Sequence, residues 1–364
     1  MRVAMLTSGG DAPGMNAAIR AATVVALALG HEPVGVRHGY RGLVDGELAP
    51  LELADVSDAL RRGGTLLQSA RCPEFHDAEV RQQARTVLTE HEVDGLIVIG
   101  GNGSLTGASY MSDPAEAGEW PVQVMGIPAS IDNDIALTSL SIGVDTAMNT
   151  IVEACDKIAD TASAHDRVFV VEVMGRDCGY LAMTSAIASG ADMVLFPEAD
   201  RSEAELVGAV ADSVLAVRKR GGVQKVIAIK AEGIETPSER LKELVDAELA
   251  ERSGGTAVPI ETRVTVLGHV VRGGRPSAFD RLLGSRMGNV AVRALADGAH
   301  RQMVAWQPPV DAGDLGVRSE HDPYCHLMPL DVALEATRQL LDGQSPLARW
   351  RSTIFDDLQD VFLL

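Results

Sequence analysis

One stretch decides the fold, and it reads Gly95-Leu96-Ile97-Val98-Ile99-Gly100-Gly101-Asn102-Gly103-Ser104. Its first half is a continuous apolar run, which is typical of a strand that is buried on both faces of a parallel sheet. Its second half is a glycine-rich turn. Further along, a second strand-like run over residues 122–126 leads through Pro128-Ala129-Ser130 into Ile131-Asp132-Asn133-Asp134. Because parallel strands end at the same edge of their sheet, the sequence predicts that the two turns form a single site.

The two turns carry complementary chemistry. Glycines let backbone N–H groups approach phosphate oxygens. A carboxylate can accept the proton of a hydroxyl group, and neighbouring carboxylates also suit Mg²⁺. Asp132 and Asp134 are equally compatible with a structural role, since Asp side chains stabilise turns through hydrogen bonds to the nearby backbone. Together the two turns indicate phosphoryl transfer to a sugar alcohol.

Strand-like and helix-like patterns alternate along the chain. An apolar run over residues 3–7 leads through a glycine-rich loop into an Ala-rich helix over residues 15–29, and further strands are predicted over residues 167–173, 225–230 and 264–269. A loop of this kind is typical of an anion site, although a tight turn without a ligand explains it as well. The length of 364 residues suits two domains. We therefore expect an α/β protein with two Rossmann-like three-layer domains, mostly parallel sheets and the active site in the cleft between them.

Composition and charge limit the possible partners. The 32 basic and 51 acidic residues give a net charge of −19, which argues against binding to nucleic acid or to an anionic membrane surface. No apolar run approaches the length of a membrane-spanning helix, and the N-terminal residues lack a signal-peptide pattern. The four cysteines are scattered, without the Cys-x-x-Cys spacing of a zinc or redox site. We expect a cytoplasmic protein with no nucleic-acid or membrane partner.

Cationic side chains recur near the predicted strand ends. They are Arg71, Arg167, Arg176, Arg263 and Arg272, with His269 close to the last. A single arginine at such a place is usually a solvated surface residue. Several together favour phosphate recognition, because the guanidinium group binds two phosphate oxygens at once.

Six motifs resemble, in their order and spacing, those of the 6-phosphofructokinase family. They are Leu6–Ala18, Arg62–Thr65, Ser69–Arg71, Ile131–Asp134, Val171–Arg176 and Thr265–His269. Each motif alone is modest, but the set is specific and spans residues 1–300. The resemblance implies a phosphotransferase of glycolysis that moves the γ-phosphoryl group of ATP to the 1-hydroxyl of fructose 6-phosphate. The products would be ADP and fructose 1,6-bisphosphate.

The resemblance also implies roles for individual residues. Asp132 matches the general base, Asp134 a neighbouring acid and Arg176 a cation that faces the transferring phosphoryl group. The substrate contacts that it implies are Ser130, Asp132, Arg167, Met174, Gly175, Arg176, Glu232, Arg263, His269 and Arg272. The nucleotide contacts that it implies are Gly10, Tyr40, Arg71, Cys72, Gly101, Asn102, Gly103 and Ser104.

Assembly and domain roles follow from the same resemblance. Arg167 and Arg263 match cations that reach the sugar phosphate from a neighbouring subunit, so a homotetramer or homodimer with shared active sites is expected. Residues 1–143 with 270–320 are predicted to form the nucleotide-binding domain. Residues 144–269 with 321–364 are predicted to form the sugar-phosphate-binding domain. The cofactor implied is Mg²⁺, with ATP as the phosphoryl donor.

The chain departs from the family pattern at two places. Asn102 stands where the family carries an Asp that helps to hold Mg²⁺, and an amide is the weaker ligand for a hard cation. Val24, Ala54 and Ala159 stand where arginines of a nucleotide-effector site are expected, although Arg20 is kept. A lost or altered effector site is therefore expected.

Several alternative functions remain open. Gly103 and Ala129 stand where pyrophosphate-dependent relatives carry an acid and a lysine, so ATP is favoured over pyrophosphate as donor. A kinase of the same fold that acts on another sugar phosphate is a second alternative. A catalytically weak paralogue that binds nucleotide and sugar phosphate is a third, and only Asn102 favours it. A nucleotide or lipid kinase would leave the motif at residues 269–274 unexplained.

Overall fold

The computed structural model describes residues 1–118, 120–220, 225–253, 260–308 and 317–346, together with Ala348 and Thr353. The strands in this part of the chain are β1 (Arg2–Ser8), β2 (Glu32–Val36), β3 (Leu48–Pro50), β4 (Gly95–Gly100), β5 (Gln123–Pro128), β6 (Val168–Val173), β7 (Met193–Leu195), β8 (Val226–Ala231), β9 (Thr262–Val266), β10 (Gln302–Trp306), β11 (Val317–Arg318) and β12 (Cys325–Pro329). The α-helices are α1 (Met15–Ala28), α2 (Gly39–Asp45), α3 (Ala78–Glu90), α4 (Asn102–Met111), α5 (Pro114–Ala117), α6 (Val144–His165), α7 (Tyr180–Ser189), α8 (Glu203–Arg220), α9 (Ser238–Arg252), α10 (Ala278–Ala296) and α11 (Leu330–Leu341). None of these helices is long and apolar enough to cross a membrane.

The first of two compact units comprises residues 1–146 and 272–340. Its sheet has eight strands in the order β11-β12-β10-β5-β4-β1-β2-β3. The pairings from β2 through β1, β4 and β5 to β10 are parallel, and the strands at both edges are antiparallel. Every residue of β4 is buried, as its continuous apolar run predicts. The carboxyl ends of β1, β4 and β5 therefore lie side by side.

The second unit comprises residues 147–271 with the described residues that follow Leu340. Its sheet has the order β7-β8-β6-β9, and all of its pairings are parallel. Apolar residues of β6 and β8 pack with those of α8 and α9 in a core of their own. In the first unit, the residues of β1, β4 and β5 pack with α4 and α11. The prediction of an α/β protein with mostly parallel sheets is confirmed.

The predicted assignment of residues 321–364 to the second domain is corrected for its first twenty residues, which lie in the first unit. The cause is an antiparallel return, because β12 pairs with β10 along its whole length. The helix α11 follows it, and Thr337 Oγ1 accepts the N–H of Ala136 at 3.0 Å. The strand β12 forms because it pairs with β10 in the folded protein, and no local sequence pattern predicts it.

Two further differences concern elements near the predicted site. The strand predicted over residues 264–269 begins earlier and ends at Val266, and Gly268–Arg272 forms a 3₁₀ turn instead. The turn predicted at residues 100–104 ends at Gly101, because Asn102 begins α4. Glycine disfavours a helix interior, but at position 103 it lies in the first turn, where that cost is small.

Candidate active site

The N-terminus of α4 lies at the carboxyl end of β4, and its backbone is open to a ligand. Gly101 is the N-cap, and no side chain caps the helix. A β-carbon on Gly103 would meet no atom within 4 Å, so space is open beside this turn. Uncapped N–H groups and the positive end of the helix dipole favour an anion here. Ser104 is buried at 4% exposure and faces inward, where a β-carbon on Gly9 would lie 3.2 Å from its Oγ.

The loop that carries Asp132 follows β5 and lies beside the α4 N-terminus. The strands β4 and β5 are paired in register up to Gly100 and Pro128. A β-carbon on Gly101 would lie 3.7 Å from Cβ of Ser130, so the two predicted turns are in contact. This bears out the expectation that both turns lie at one edge of one sheet.

Asn133 holds the Asp132 loop in a fixed shape. Its φ is 49°, a left-handed conformation that Asn tolerates better than most residues. Its Oδ1 accepts the N–H of Ser141 at 3.0 Å, and its Nδ2 donates to the carbonyl of Ser139 at 3.3 Å. Asp132 is 4% exposed within this loop.

Ser130 and Asp134 form the second hydrogen-bonded pair of the loop. Ser130 Oγ donates to Asp134 Oδ1 at 2.8 Å. Asp134 therefore orients Ser130, which fits an acid that supports the loop as well as one that handles protons.

The loop between β1 and α1 brings Gly10 and Arg272 together within the first unit. A β-carbon on Gly10 would lie 2.7 Å from Nη1 of Arg272, so glycine leaves room for this guanidinium group. Nη1 of Arg272 also donates to the carbonyl of Asp11 at 3.3 Å. Gly14, just before α1, has a φ of 115°, which glycine alone adopts readily.

Asn16 fixes the loop that leads to Arg71. It is 1% exposed, and its Nδ2 donates to the carbonyls of Arg62 and Gly63 at 3.0 and 3.2 Å. Its Oδ1 accepts the N–H of Leu66 at 2.7 Å. Asn16 lies in one of the six motifs, but no role was predicted for it. Arg71 itself is exposed at the end of this loop.

Tyr40 packs against α4 and holds its first turn in place. It is 4% exposed, its hydroxyl donates to the carbonyl of Ser104 at 2.6 Å, and its ring stacks on Phe75 at 4.1 Å. A β-carbon on Gly107 would lie 2.8 Å from the ring, so Tyr40 packs tightly against α4. Burial raises the pKa of this hydroxyl well above its usual value. Tyr40 therefore positions α4, and its hydroxyl proton is committed to the protein backbone.

Cys72 is half-buried, and its carbonyl accepts the N–H of Phe75 at 3.0 Å. Burial is the main cause that raises the pKa of its thiol. The thiol form can contact a ligand through van der Waals packing, and it offers no negative charge.

In the second unit, Glu232 organises the loop that carries Met174, Gly175 and Arg176. Its Oε1 accepts the N–H groups of Gly175 at 3.2 Å and of Arg176 at 2.9 Å. Gly233 allows the close approach, since a β-carbon there would lie 2.0 Å from the carbonyl of Arg176. Met174 is 8% exposed, whereas Arg176 is exposed.

His269 lies at the same edge of the second sheet. It is exposed in the 3₁₀ turn that follows β9, and Leu267, two residues before it, donates its N–H to the carbonyl of Glu172 at 3.0 Å. The carboxyl ends of β6, β8 and β9 thus bring Met174, Arg176, Glu232 and His269 together.

Arg167 and Arg263 lie at the opposite, amino-terminal edge of this sheet. Arg167 precedes β6, and Arg263 is the second residue of β9. Arg167 Nε donates to Glu261 at 2.8 Å, and Arg263 pairs with the same carboxylate. A six-residue strand is about 20 Å long, so these arginines lie far from Arg176 within one subunit. Within the second unit, Arg167 and Arg263 therefore lie at the sheet edge opposite the one that carries Arg176.

Comparison with known proteins decides the family. Residues 2–295 match the sequence profile of the phosphofructokinase family. The ATP-dependent 6-phosphofructokinase of Thermotoga neapolitana is 46% identical over 84% of this chain and 90% of its own length. That of Staphylococcus carnosus is 48% identical over 82% of this chain and 86% of its own length. This chain belongs to the phosphofructokinase family.

A solved phosphofructokinase structure from Saccharomyces cerevisiae has the same fold. It superposes with a TM-score of 0.80 at 31% identity and covers 98% of this chain. The present chain spans 47% of the length of that yeast chain. The resemblance predicted from the six motifs is confirmed, and the roles of individual residues stay predictions.

The protein residues at this phosphofructokinase site do not by themselves form a metal cage. Among the described residues, no three His, Cys, Asp or Glu side chains are grouped to hold a metal. Asn102 lies half-buried at the first position of α4. A Mg²⁺ ion in proteins often keeps several waters and is bound mainly by substrate phosphates, with few protein ligands. Asn102 and the open N-terminus of α4 are compatible with a Mg²⁺ ion that binds together with the nucleotide phosphates.

Proposed function

We propose that this protein is an ATP-dependent 6-phosphofructokinase, which phosphorylates the 1-hydroxyl of fructose 6-phosphate and releases ADP. The observation that carries the proposal is the contact between two turns at one sheet edge. The uncapped N-terminus of α4 is suited to an anionic donor, and the adjoining loop carries Asp132. Membership of the phosphofructokinase family supports the reaction class.

Asp132 acts as the general base in this proposal. Its loop is fixed by Asn133, so the carboxylate is held ready to take the proton of the sugar hydroxyl. Arg176 stabilises the charge on the transferring phosphoryl group, and Glu232 fixes the backbone on which Arg176 stands. Phosphoryl transfer needs positioning and charge neutralisation more than covalent help from the protein.

The remaining predicted residues divide between the two substrates. We assign Gly10, Arg71, Cys72, Gly101, Gly103 and Ser104 to the nucleotide, with Tyr40 acting through α4. We assign Ser130, Met174, Gly175, Glu232, His269 and Arg272 to the sugar phosphate. Mg²⁺ would neutralise the donor phosphates when bound, and Asn102 is the residue placed to contact it or its waters.

Arg167 and Arg263 serve a neighbouring subunit in this proposal. Their place at the edge opposite Arg176 supports an assignment to another copy's site. Closed symmetry makes a homo-oligomer the ordinary expectation, and the family resemblance favours a tetramer or a dimer. The active species is then larger than the monomer.

A catalytically weak paralogue is the second candidate, and Asn102 is the feature that favours it. Loss of one carboxylate weakens the affinity for Mg²⁺. The intact Asp132 loop and the braced Arg176 loop favour the active enzyme.

The choice of donor tests the proposal. Initial rates with fructose 6-phosphate are compared for ATP and pyrophosphate, in the wild type and in Gly103→Asp. The wild type should use ATP and ignore pyrophosphate. The variant should bind ATP more weakly, because its carboxylate enters the open space beside α4 and repels the nucleotide phosphates. Gly103→Asn is the matched neutral control. A wild type that prefers pyrophosphate contradicts the proposed donor.

A further inference from the structure

A buried lysine lies behind the loop that carries Arg176. Lys230 is the fifth residue of β8, in a run that is otherwise apolar, and its side chain is 1% exposed. Its Nζ donates to Glu172 Oε2 at 3.1 Å and to the carbonyl of Ala231 at 3.4 Å. Glu172 is the residue of β6 directly paired with it. No sequence motif pointed to this ion pair.

The same carboxylate also holds the beginning of α9. Ser238 Oγ donates to Glu172 Oε2 at 2.5 Å, and Ser238 is 5% exposed. Lys230, Glu172 and Ser238 are named here the buried triad after the lysine and the serine, which are buried, whereas the Glu172 side chain is 21% exposed. It ties the carboxyl ends of two neighbouring strands to the first residue of a helix.

The buried triad lies at the end of the segment from Glu232 to Ser238, whose first residue fixes the backbone of Arg176. Glu232 lies two residues after Lys230, and its N–H donates to the carbonyl of Val173 at 2.9 Å. The chain then runs from Glu232 to Ser238, so this segment is fixed at its start by β6 and at its end by the triad. Its Glu232 carboxylate in turn accepts the N–H of Arg176.

A role in stability alone does not account for the triad. Removing a lysine amine from water is costly, and a buried ion pair is often no more stabilising than apolar residues of similar size. A neutral apolar pair at these positions would fill the core without that cost. Unlike apolar contacts, the hydrogen bonds of an ion pair are directional. They fix the ends of β6 and β8 relative to the first residue of α9.

We propose that the buried triad of Lys230, Glu172 and Ser238 positions Glu232, and through it the backbone of Gly175 and Arg176, for phosphoryl transfer. Lys230 is a positioning residue and does not touch a substrate. The consequence for the reaction rests on the proposed function, whereas the positioning itself is a property of the protein without substrate.

Hydrogen–deuterium exchange tests the positioning directly. In Lys230→Met, the amides of Gly175 and Arg176 should exchange at least ~10-fold faster than in the wild type, since their acceptor is no longer held. Lys242→Met is the control, because it removes a lysine–carboxylate pair with Asp246 that lies within α9 and is not part of the buried triad. Its exchange at Gly175 and Arg176 should stay unchanged. Unchanged exchange in Lys230→Met overturns the proposal.

A double-mutant cycle shows whether the effect passes through Glu232. In a Glu232→Ala background, Lys230→Met should cause little further increase in exchange at Arg176. Full additivity would mean that the triad acts by another route, and the proposal would fail. Ser238→Ala gives a milder variant if Lys230→Met does not fold, and it should accelerate exchange in the same direction.

Kinetics then decide whether the positioning matters for the reaction. Lys230→Met should lower kcat/KM by about 10- to 100-fold, since small misplacements of a catalytic group have effects of this size. Lys242→Met should retain the wild-type value. Faster exchange with unchanged kcat/KM would overturn the catalytic consequence. A wild type without fructose 6-phosphate kinase activity would instead overturn the proposed function, and the exchange measurement would still decide the positioning.

Discussion

Asp132 is the residue on which the proposed chemistry depends. It is 4% exposed, and its loop is fixed by Asn133, so Asp132→Asn changes the charge with little change of shape. We expect kcat to fall by about 10²–10⁴, the usual contribution of a positioned general base. The KM for the sugar phosphate should change far less. Steady-state rates with a melting curve for each protein check this, and near wild-type turnover would remove Asp132 from the mechanism.

Asn102 is the residue at which the family pattern is broken. It begins α4, where the positive end of the helix dipole would stabilise a carboxylate. Asn102→Asp should therefore lower the Mg²⁺ concentration needed for the half-maximal rate, or raise the maximal rate. Asn102→Ala is the control that removes the amide without adding charge. Titration of Mg²⁺ against rate decides the matter, and an Asp variant with equal or worse kinetics would mean that the site is organised around Asn.

At the residue scale, the sequence indicated most of the site but not what holds it. Asp132, Arg176 and Gly10 lie in motifs whose order alone pointed to the family. The supports of these residues escaped notice because they act across the fold. Glu232 was predicted as a substrate contact and not as the residue that fixes the backbone of Arg176, and Lys230 is buried where no local pattern distinguishes it.

The packing of α1 on α10 shows how glycines shape an element. A β-carbon on Gly288 would lie 2.4 Å from the carbonyl of Ala18, which is backbone and cannot move aside easily. Gly288→Ala should therefore lower the free energy of unfolding by about 1–3 kcal/mol, the usual cost of overpacking.

Gly208 in α8 provides the matched control for this substitution. A β-carbon there would meet nothing within 4 Å, so Gly208→Ala should raise the free energy of unfolding by about 0.5–1 kcal/mol. Urea denaturation of both variants gives the comparison. Equal effects of the two substitutions would contradict the close helix contact.

The ion pairs between α3 and α5 make part of the unfolding free energy depend on pH. Glu116 bonds Arg81 and Arg85, and these bonds lower the pKa of its carboxyl to about 2, with Arg81 the largest cause. The folded-state pKa is depressed below the usual 4.5, so the contribution to stability is complete above that value and is lost as the pH falls towards 2. A lowering of the pKa from 4.5 to about 2 corresponds to about 3 kcal/mol as an upper bound, because water screens the partly exposed carboxylate.

Glu116→Gln tests this linkage. The difference in unfolding free energy between wild type and variant should be constant near neutral pH and should shrink between pH 4.5 and 2. Glu90→Gln, at an exposed position of α3, is the control and should leave the pH profile of unfolding unchanged. A difference that stays constant down to pH 2 would remove the ion pairs as the cause.

Local sequence patterns predicted those strands and helices whose formation depends mainly on the burial of their own apolar residues. The continuous apolar run of β4 and the Ala-rich α1 were predicted because a parallel strand and an amphipathic helix each have a local signature. The antiparallel pair of β10 and β12 was missed because neither short strand was predicted, and β10 joins the sheet beside β5, which is distant in sequence. The beginning of α4 was read as a turn because its glycine outweighed the helical pattern that follows.

For the whole molecule, the position of Arg167 and Arg263 bears on assembly. Mixed oligomers of Asp132→Asn and Arg263→Ala subunits should recover activity above the sum of the two separate variants at low fructose 6-phosphate. A shared site explains the recovery, because some sites would combine an intact Asp132 with an intact arginine from the neighbouring subunit. Sedimentation should show an active species larger than the monomer. A fully active monomer, or no recovery on mixing, would refute the shared site.

Identification of the reaction products is the decisive test of the proposed phosphoryl transfer. Purified protein is incubated with ATP, Mg²⁺ and fructose 6-phosphate, and the mixture is followed by phosphorus NMR. Fructose 1,6-bisphosphate and ADP should appear in equal amounts, and ADP formation should stop when the sugar phosphate is left out. ADP formation that does not depend on fructose 6-phosphate, or the absence of any bisphosphate, would refute the proposed reaction.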